Sequence, residues 1–242
     1  MIDLSKPITG LSSVVSGVCI PNLADKDGES KVNCYEELLY DTLLKRASRR
    51  DTLIDYRNQD KIYPHIKRVL EWLRTTDFYT SPASTKYHDA CYAGLLTHTL
   101  EVYNQLVGLQ SVPKFKPVVD DQWYSVVFAI LVHDWCKIGR YESYWKSVKN
   151  DSTGKWEQVS AYRYKDDCIG RLGHGSQSLA MVMQFCTSKL TSLTFDEMAA
   201  IRWHMDNWDV TRYEAEDLSL CNNNIPMVRM VQFADQLAVT EY

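Results

Sequence analysis

Apolar residues recur at helical spacing over most of the chain. The first clear run follows Cys34 and a second begins at Ile62, with apolar residues three and four positions apart in both. The first run comprises Tyr35, Leu38, Leu39, Thr42 and Leu43, and the second comprises Ile62, His65, Ile66, Val69, Leu70 and Leu73. Both stretches are therefore predicted to be amphipathic helices.

Helical signals continue through the middle of the chain. Pro113 and Pro117 mark a linker, and the apolar run 126–132 behind it predicts a buried helix. Helical periodicity resumes at Gly173 and continues to Phe185. Two more helices are therefore predicted between the linker and residue 185.

Two further helices have recognisable starts. Thr194 is a good N-cap, and Glu197 three residues later completes a capping box. Pro226 is favoured in a first helical turn, so a last helix is predicted from Pro226 to about Val239.

One segment breaks the helical pattern. Residues 141–164 hold two aromatic-rich runs around the turn-forming sequence NDSTG at 150–154, which predicts a β-hairpin. Residues 1–33 lack helical period and end in a loop-like stretch at 25–30, so they are predicted to form a partly irregular N-terminal arm. The expected fold is all-α: a helical bundle over residues 34–242 with the hairpin inserted.

Composition narrows the class of protein. The chain has 242 residues, 45% of them apolar and 24% charged, which is ordinary for one folded domain. The longest apolar stretch, 124–132, is less than half a membrane span, and the first residues do not resemble an export signal. The seven cysteines never occur as C-x-x-C, so a reducing cytoplasm is the expected location and no membrane association is expected.

Charge limits the partners. The formal net charge is −4, so no extensive surface for duplex nucleic acid is expected. Residues 137–171 differ, because eight basic residues there outnumber five acidic ones and give a local charge of +3. An anionic substrate would be met by this segment.

Histidine and aspartate carry the candidate chemistry in the first part of the bundle. His98 lies on an apolar helix, where a lone histidine is more often a core residue than a ligand. His133 and Asp134 follow the apolar run 126–132, and a buried carboxylate is costly unless it is paired or bound to metal. A helix-ending cap is an equally good interpretation of Asp134 taken alone.

Three more candidates follow. His174 stands between two glycines at a helix start, where small neighbours would let a ligand approach, although an exposed turn histidine is the commoner case. His204 follows the apolar Ile201 and Trp203. Asp235 is surrounded by apolar residues on a helix, where a paired core carboxylate or a metal ligand would explain it.

The order of these residues is more informative than any one of them. Mixed imidazole and carboxylate ligands suit Mn, Fe, Co, Ni or Zn. A two-metal site also needs a carboxylate that bridges ions about 3.5–4 Å apart. Six such residues on separate helices could supply both.

In this order the residues resemble the HD phosphohydrolase superfamily over Ser81 to Tyr242. The resemblance is carried by His88 and by the motifs GLLTHTL at 94–100, LVHDWCK at 131–137, LGHG at 172–175, IRWH at 201–204 and FAD at 233–235. It implies a helical bundle with inward-facing ligands. The six-ligand set looks like the binuclear branches of the family, and most like the exoribonuclease-type HD module.

The resemblance also implies roles for the ligands. His98, His133, Asp134 and Asp235 would hold one divalent transition metal. Asp134 would bridge to a second metal, and the remaining ligands of that metal would be His174 and His204.

Three residues would complete the catalytic chemistry. Lys137 matches the family's phosphate-facing lysine, although a solvated helix-end lysine is the plain alternative. The proton donor to the leaving oxygen would be His88 or Asp206, and structural packing is a serious alternative for His88.

The hairpin is expected to lie over the mouth of the site. Arg140 and Arg163 would then bind substrate together with Lys137. Hairpin aromatic residues would stack on a base or simply pack on the bundle.

The sequence therefore predicts a metal-dependent phosphohydrolase that acts on nucleotides or short oligonucleotides through a metal-activated water. Two alternatives share its ligand set. One is a di-iron oxygenase of the HD type, and the other is a non-catalytic sensor that binds a nucleotide. The oligomeric state is left open.

Overall fold

Eight helices and one hairpin make up the described parts of the chain, in a computed structural model that describes residues 28–50, 60–166 and 172–239. The elements are α1 (Gly28–Arg50), α2 (Tyr63–Arg74), α3 (Gly94–Gly108), α4 (Lys116–Val132), β1 (Tyr141–Lys149), β2 (Trp156–Tyr164), α5 (His174–Phe185), α6 (Phe195–Trp203), α7 (Ala215–Asn224) and α8 (Pro226–Ala238). Short 3-10 turns occupy Trp135–Lys137 and Asp206–Asp209. The predicted all-α fold with a β-hairpin is confirmed.

Helix α4 forms the centre of the core. All seven residues of its apolar run 126–132 are buried, as expected of a helix that is apolar on every side. Helices α1, α3, α6 and α8 pack around it. Because α4 ends at Val132, the His133-Asp134 pair lies where the apolar centre stops.

Helix α1 is tied to its neighbours by buried polar contacts. The Arg46 guanidinium donates to both oxygens of Glu197 on α6, at 2.8 and 2.7 Å. The Tyr35 hydroxyl donates to the Leu131 carbonyl at 2.8 Å and accepts from the Trp135 indole at 3.2 Å. The second set of contacts holds the end of α4, and with it the residues that follow.

Two predicted boundaries differ from the structure. Helix α1 begins at Gly28, so 28–33 belong to the bundle and not to the N-terminal arm; residues 1–27 of the predicted arm lie outside the described residues. These six residues are mostly polar and have no apolar period, which is why they look like a loop, but Glu29 favours a helix start and Val32 packs on the core. Pro117 lies in the first turn of α4, where proline is tolerated, and not in a linker.

The predicted starts and the hairpin are confirmed. Thr194 accepts from the Glu197 backbone amide, and the Glu197 side chain accepts from the Thr194 amide, which completes the capping box. Strands β1 and β2 pair antiparallel, from Tyr141 opposite Tyr164 to Lys149 opposite Trp156. Most of the hairpin is exposed, but Tyr141 at its base is buried.

In the described ranges, none of the helices combines the length and the apolar character that a membrane crossing requires.

Candidate metal centre

Five helices contribute to one polar cluster inside the bundle. The ligand candidates come from the middle of α3, the end of α4, the start of α5, the end of α6 and the body of α8: His98, His133, Asp134, His174, His204 and Asp235. Four of them are almost fully buried, while the side chains of His174 and Asp235 are 18% and 14% exposed. Within the ligand set, His174 and Asp235 are therefore the side chains with the most contact with solvent.

The first group of ligand atoms surrounds one oxygen of Asp134. Asp134 Oδ2 lies 3.4 Å from the Nε2 atoms of both His98 and His133. Asp235 Oδ1 lies 3.1 Å from His98 Nε2 and 3.8 Å from His133 Nε2. A metal with bonds of about 2.0–2.2 Å sets adjacent ligand atoms roughly 3–3.6 Å apart. Three of the four distances lie in this range and the fourth, from His133 to Asp235, is slightly longer, so the group could hold a single cation.

The other oxygen of Asp134 faces a different pair of imidazoles. Asp134 Oδ1 accepts a hydrogen bond from His174 Nε2 at 2.6 Å and lies 3.7 Å from His204 Nε2. The ring of His133 in the first group and the ring of His204 in the second have centroids 5.0 Å apart. One carboxylate thus presents its two oxygens to two separate sets of ligand atoms.

The tautomers of His133 and His204 suit metal binding. His133 Nδ1 donates to the Ile130 carbonyl and His204 Nδ1 donates to the Ile201 carbonyl, both at 2.7 Å. A carbonyl only accepts, so the proton stays on Nδ1 and the Nε2 lone pair points to the cluster. Within the described chain, the buried His204 Nε2 has no hydrogen-bond partner, as expected of a ligand atom that awaits a cation.

Lys137 is part of the cluster and is not a solvated lysine. Its side chain is buried, and Nζ lies 2.6 Å from Asp134 Oδ2. Burial opposes ionisation of Asp134, but the charge of Lys137 holds the pKa of this carboxyl well below its ordinary value. Burial likewise opposes ionisation of Asp235, and the hydrogen bond and charge of His98 lower its pKa. Both carboxylates are thus ionised at neutral pH and attract cations.

His88 borders the first group. Its ring centroid is 4.7 Å from that of His98, and its buried Nε2 has no partner among the described residues. Burial, followed by the charges of His98 and Lys137, lowers the pKa of His88 to about 4. The imidazole is therefore neutral at pH 7, which suits a proton acceptor better than a donor.

Asp206 lies just beyond His204, at a positive φ of 49°. Its Oδ1 is buried without a partner in the described chain, and Oδ2 lies 3.8 Å from Arg229 Nη1. The two residues considered as proton donors thus differ, because His88 packs against the ligand candidate His98 and Asp206 lies near the guanidinium of Arg229.

Arg163 is not among the residues that the structure gathers. Its guanidinium binds Glu142, its cross-strand partner, at 2.7 Å, and lies over the Tyr144 ring. Arg140 lies over the ring of Tyr164 at 5.6 Å. Arg140 therefore remains at the base of the hairpin, whereas Arg163 is committed to a pair within it.

Asp209 is a functional candidate that the sequence did not suggest. Its two carboxylate oxygens accept from the backbone amides of His174 and Gly175, each at 2.9 Å, and so cap α5 from the adjoining 3-10 turn. Arg202 holds the same carboxylate at 3.1 Å. The cap lies 35 residues from His174 along the chain, so no local motif could reveal it.

The glycines beside His174 have a packing role that the sequence did not suggest. Gly173 has φ +80°, which favours glycine, and a Cβ there would lie 3.2 Å from Asp209 Oδ1. A Cβ on Gly175 would lie 2.0 Å from the Arg202 carbonyl oxygen. These glycines let α5 approach α6 and its cap, and the expectation that they admit a ligand stays a prediction.

Cys136 is a second residue that the sequence did not suggest. Ligand atoms of Asp134, Cys136 and His174 all lie within 4.8 Å of one another. Burial raises the pKa of the Cys136 thiol to about 12, so without a metal it is protonated. No paired cysteine marks it in the sequence, and only the fold brings it to the second group.

Comparison with known proteins finds no relative of this chain. No model of a protein family matches the chain, and neither the curated proteins nor the solved structures include a match. The fold and site define a helical protein with a buried set of His and Asp residues able to hold metal.

Proposed function

We propose that the protein is a metal-dependent phosphohydrolase that cleaves phosphomonoester or phosphodiester bonds of nucleotides or short oligonucleotides. The observation that carries the proposal is the position of Asp134, whose two oxygens face separate ligand groups. A bridging carboxylate of this kind is what a two-metal hydrolytic site needs. The ordered motifs of the HD resemblance support the same chemistry.

The ligand chemistry favours two divalent transition metals from the series Mn, Fe, Co, Ni and Zn. His98, His133, Asp134 and Asp235 would hold one of them, and Asp134, His174 and His204 the other. When bound, such metals supply a water of lowered pKa and offset the charge that grows on the phosphate oxygens.

The chain's own residues would orient the substrate. Lys137 carries a buried ammonium 2.6 Å from Asp134. Burial lowers the pKa of Lys137, but the charge of Asp134 outweighs burial and holds this pKa above its ordinary value. A charged, desolvated ammonium beside the ligands is suited to holding a non-bridging phosphate oxygen. Its pairing with Asp134 also keeps the carboxylate oriented.

Proton handling would fall to His88 or Asp206. His88 is neutral at pH 7, because its pKa is about 4, so it would accept a proton from water or hold a hydrogen bond. Asp206 has a buried oxygen without a partner in the described chain and would act at the leaving group.

The test combines metal analysis with a substrate panel. We expect about two metal equivalents per chain after purification without chelator. We also expect phosphate release from at least one nucleotide or dinucleotide in the presence of Mn or Co. The Asp134→Asn variant should lose both properties, whereas Asp217→Asn, at an exposed position of α7, should keep them.

Other outcomes would point elsewhere. Oxygen consumption by iron-loaded protein, without phosphate release, would support an oxygenase. Tight nucleotide binding with no turnover over hours would support a sensor. Unchanged metal content and turnover in Asp134→Asn would refute the bridged site.

A further inference from the structure

One face of the hairpin carries nearly all of its aromatic side chains. Residues directly opposite each other in β1 and β2, and residues two apart along a strand, share a face. The register therefore places five aromatic rings on one face, the aromatic strip: Tyr141, Trp145, Trp156, Tyr162 and Tyr164. Between them on this face stand only serines, Gln158 and Lys149.

The strip is largely uncovered. Trp145 and Trp156 are 72% and 71% exposed, and Tyr164 is 55% exposed. Large aromatic rings are normally among the more buried side chains, so three exposed rings on one face of a hairpin indicate an interaction site. The spacers are small and polar, while the aliphatic Val148 and Val159 lie on the opposite face.

The strip begins beside the metal centre. Tyr141 follows Lys137 by four residues, is buried, and packs against the Tyr164 ring with centroids 5.2 Å apart. Lys165 extends the pairing by donating its amide to the Arg140 carbonyl at 3.1 Å, and the Arg140 guanidinium lies over Tyr164. Burial raises the pKa of the Tyr141 hydroxyl, and the charge of Asp134 adds to this. One end of the strip therefore meets the segment that carries Lys137.

The charges near the strip favour an anion. Lys149, opposite Trp156, is the single charged residue on the face, and Arg140 stands at its base. The acidic strand residues Glu142 and Glu157 lie on the opposite face, where Arg163 and Asn150 bind them at 2.7 and 2.8 Å. A phosphate chain would thus meet cations at both ends of the strip and no strand carboxylate between them.

From these observations we propose that the aromatic strip binds single-stranded nucleic acid and leads its end to the metal centre. Every base has a face that can stack on an aromatic ring, and stacking sites with a few cations are how proteins bind single strands without sequence preference. Side chains on one face are about 7 Å apart along a strand, and Trp156 stands two such steps beyond Trp145, so the bases must be unpaired and splayed to reach the rings. The inference rests on the proposed function for the direction in which the strand would run and for its role as a substrate. Binding of the strand can nevertheless be measured without turnover.

The first experiment measures binding alone. Fluorescence anisotropy with labelled 12-nucleotide single strands of DNA and RNA, in a chelator, is run on the full-length protein. We expect binding by the wild type. Trp145→Ala and Trp156→Ala should each weaken it by roughly 5- to 150-fold, the loss of one stacked base.

Matched variants serve as controls. Tyr213→Ala removes an aromatic ring that is 83% exposed outside the hairpin, and Val159→Ala changes the opposite face. Both should bind within about twofold of wild type. A duplex of the same sequence should bind more weakly than the single strand. All four substitutions are at exposed positions, and circular dichroism should confirm that each variant is folded.

Failure of the inference is distinguishable from failure of the proposed function. No single-strand binding at roughly 100 µM protein, or equal binding by the tryptophan variants, would overturn the inference. Self-association that is lost in those variants, without nucleic-acid binding, would instead identify a protein-docking face. Binding with the expected variant effects but no hydrolysis would leave the inference standing and remove the proposed function.

Turnover gives a second, independent measurement. If both proposals hold, Trp156→Ala should raise KM for a single-stranded oligonucleotide and leave turnover of a small phosphodiester unchanged, because Trp156 lies at the far end of the strip. Equal loss on both substrates would contradict a role in binding the chain of nucleotides.

Discussion

Two ion pairs in this molecule consist of the same kinds of groups in opposite surroundings. Lys137 and Asp134 meet at 2.6 Å inside the bundle, with side chains 9% and 3% exposed. Arg163 and Glu142 meet at 2.7 Å on the hairpin, with side chains 59% and 39% exposed. Distance alone does not separate them, so burial must decide what each contributes.

Burial decides the contribution of each pair because it decides what surrounds a charge once its partner is lost. If the exposed pair separates, water solvates both charges, and such pairs typically contribute about 0–1 kcal/mol. If one member of the buried pair is removed, the other stays buried and loses its nearest opposite charge. The buried pair is therefore expected to contribute more to the stability of the fold than the exposed pair.

The largest expected difference in stability appears when the cation of each pair is removed in turn. Lys137→Met should lower the free energy of unfolding by roughly 3 kcal/mol in chelator, because Asp134 stays buried without its cation. Arg163→Met should lower it by less than about 1 kcal/mol. Urea denaturation of both variants measures the difference, and equal losses would show that burial does not separate the two pairs.

Activity sharpens the same comparison. Under the proposed function, Lys137→Met should reduce kcat/KM by about 100-fold or more, as does the loss of one preorganised donor to an oxyanion. Arg163→Met should leave turnover of a small phosphodiester within about twofold. A large loss in Arg163→Met would restore its predicted role in substrate binding.

The next effect concerns Asp209, which holds the start of α5 and thereby His174. Asp209→Ala removes both acceptors of the helix cap and should lower the unfolding free energy by about 1 kcal/mol. Metal affinity should fall by roughly 10- to 100-fold, as for other residues that orient ligands. Calorimetric titration with Mn or Co measures this, and Asp209→Asn should restore part of it.

Asp217→Ala, on the exposed side of α7, is the matched control. If Asp209→Ala loses stability but keeps full metal affinity, then Asp209 supports only the fold and does not position His174.

Sequence reasoning found what local patterns encode. The hairpin, the capping box at Thr194 and the last helix from Pro226 follow from turn residues, caps and periodicity within a few positions. The six ligand candidates stood out because polar residues in apolar helices need a reason, and the fold gathers all six. Whether they hold two metals and cleave phosphate esters stays a prediction.

Sequence reasoning missed what depends on long-range packing. Asp209 caps a helix 35 residues away, and Gly175 is small because the Arg202 carbonyl lies against it. The first turns of α1 contact the rest of the bundle through Lys31, which donates to Thr97, and through Val32, which packs on the core, and no local pattern indicates these contacts. Arg163 looked available because its pairing with Glu142 follows only from the strand register.

The smallest expected effect is a pH dependence at an exposed carboxylate. Glu214 accepts hydrogen bonds from the Thr211 amide and hydroxyl and from Arg202, and these lower its pKa from 4.5 to about 2. A lowered pKa stabilises the fold above the unfolded value, and the gain is lost as the pH falls from about 4.5 to 2. Because the side chain is 35% exposed, solvent screening limits the gain to about 0.5 kcal/mol.

Glu214→Gln should therefore be slightly less stable than wild type at pH 7, and the gap should close as the pH falls towards 2. Parallel denaturation curves between pH 7 and pH 2 measure it, with Glu216→Gln, exposed on α7, as the control. A gap that persists at pH 2 would mean that the glutamine disturbs packing and that the charge is not the cause. A gap of several kcal/mol at pH 7 would break the rule drawn from the two ion pairs, since an exposed carboxylate would then contribute as much as a buried one.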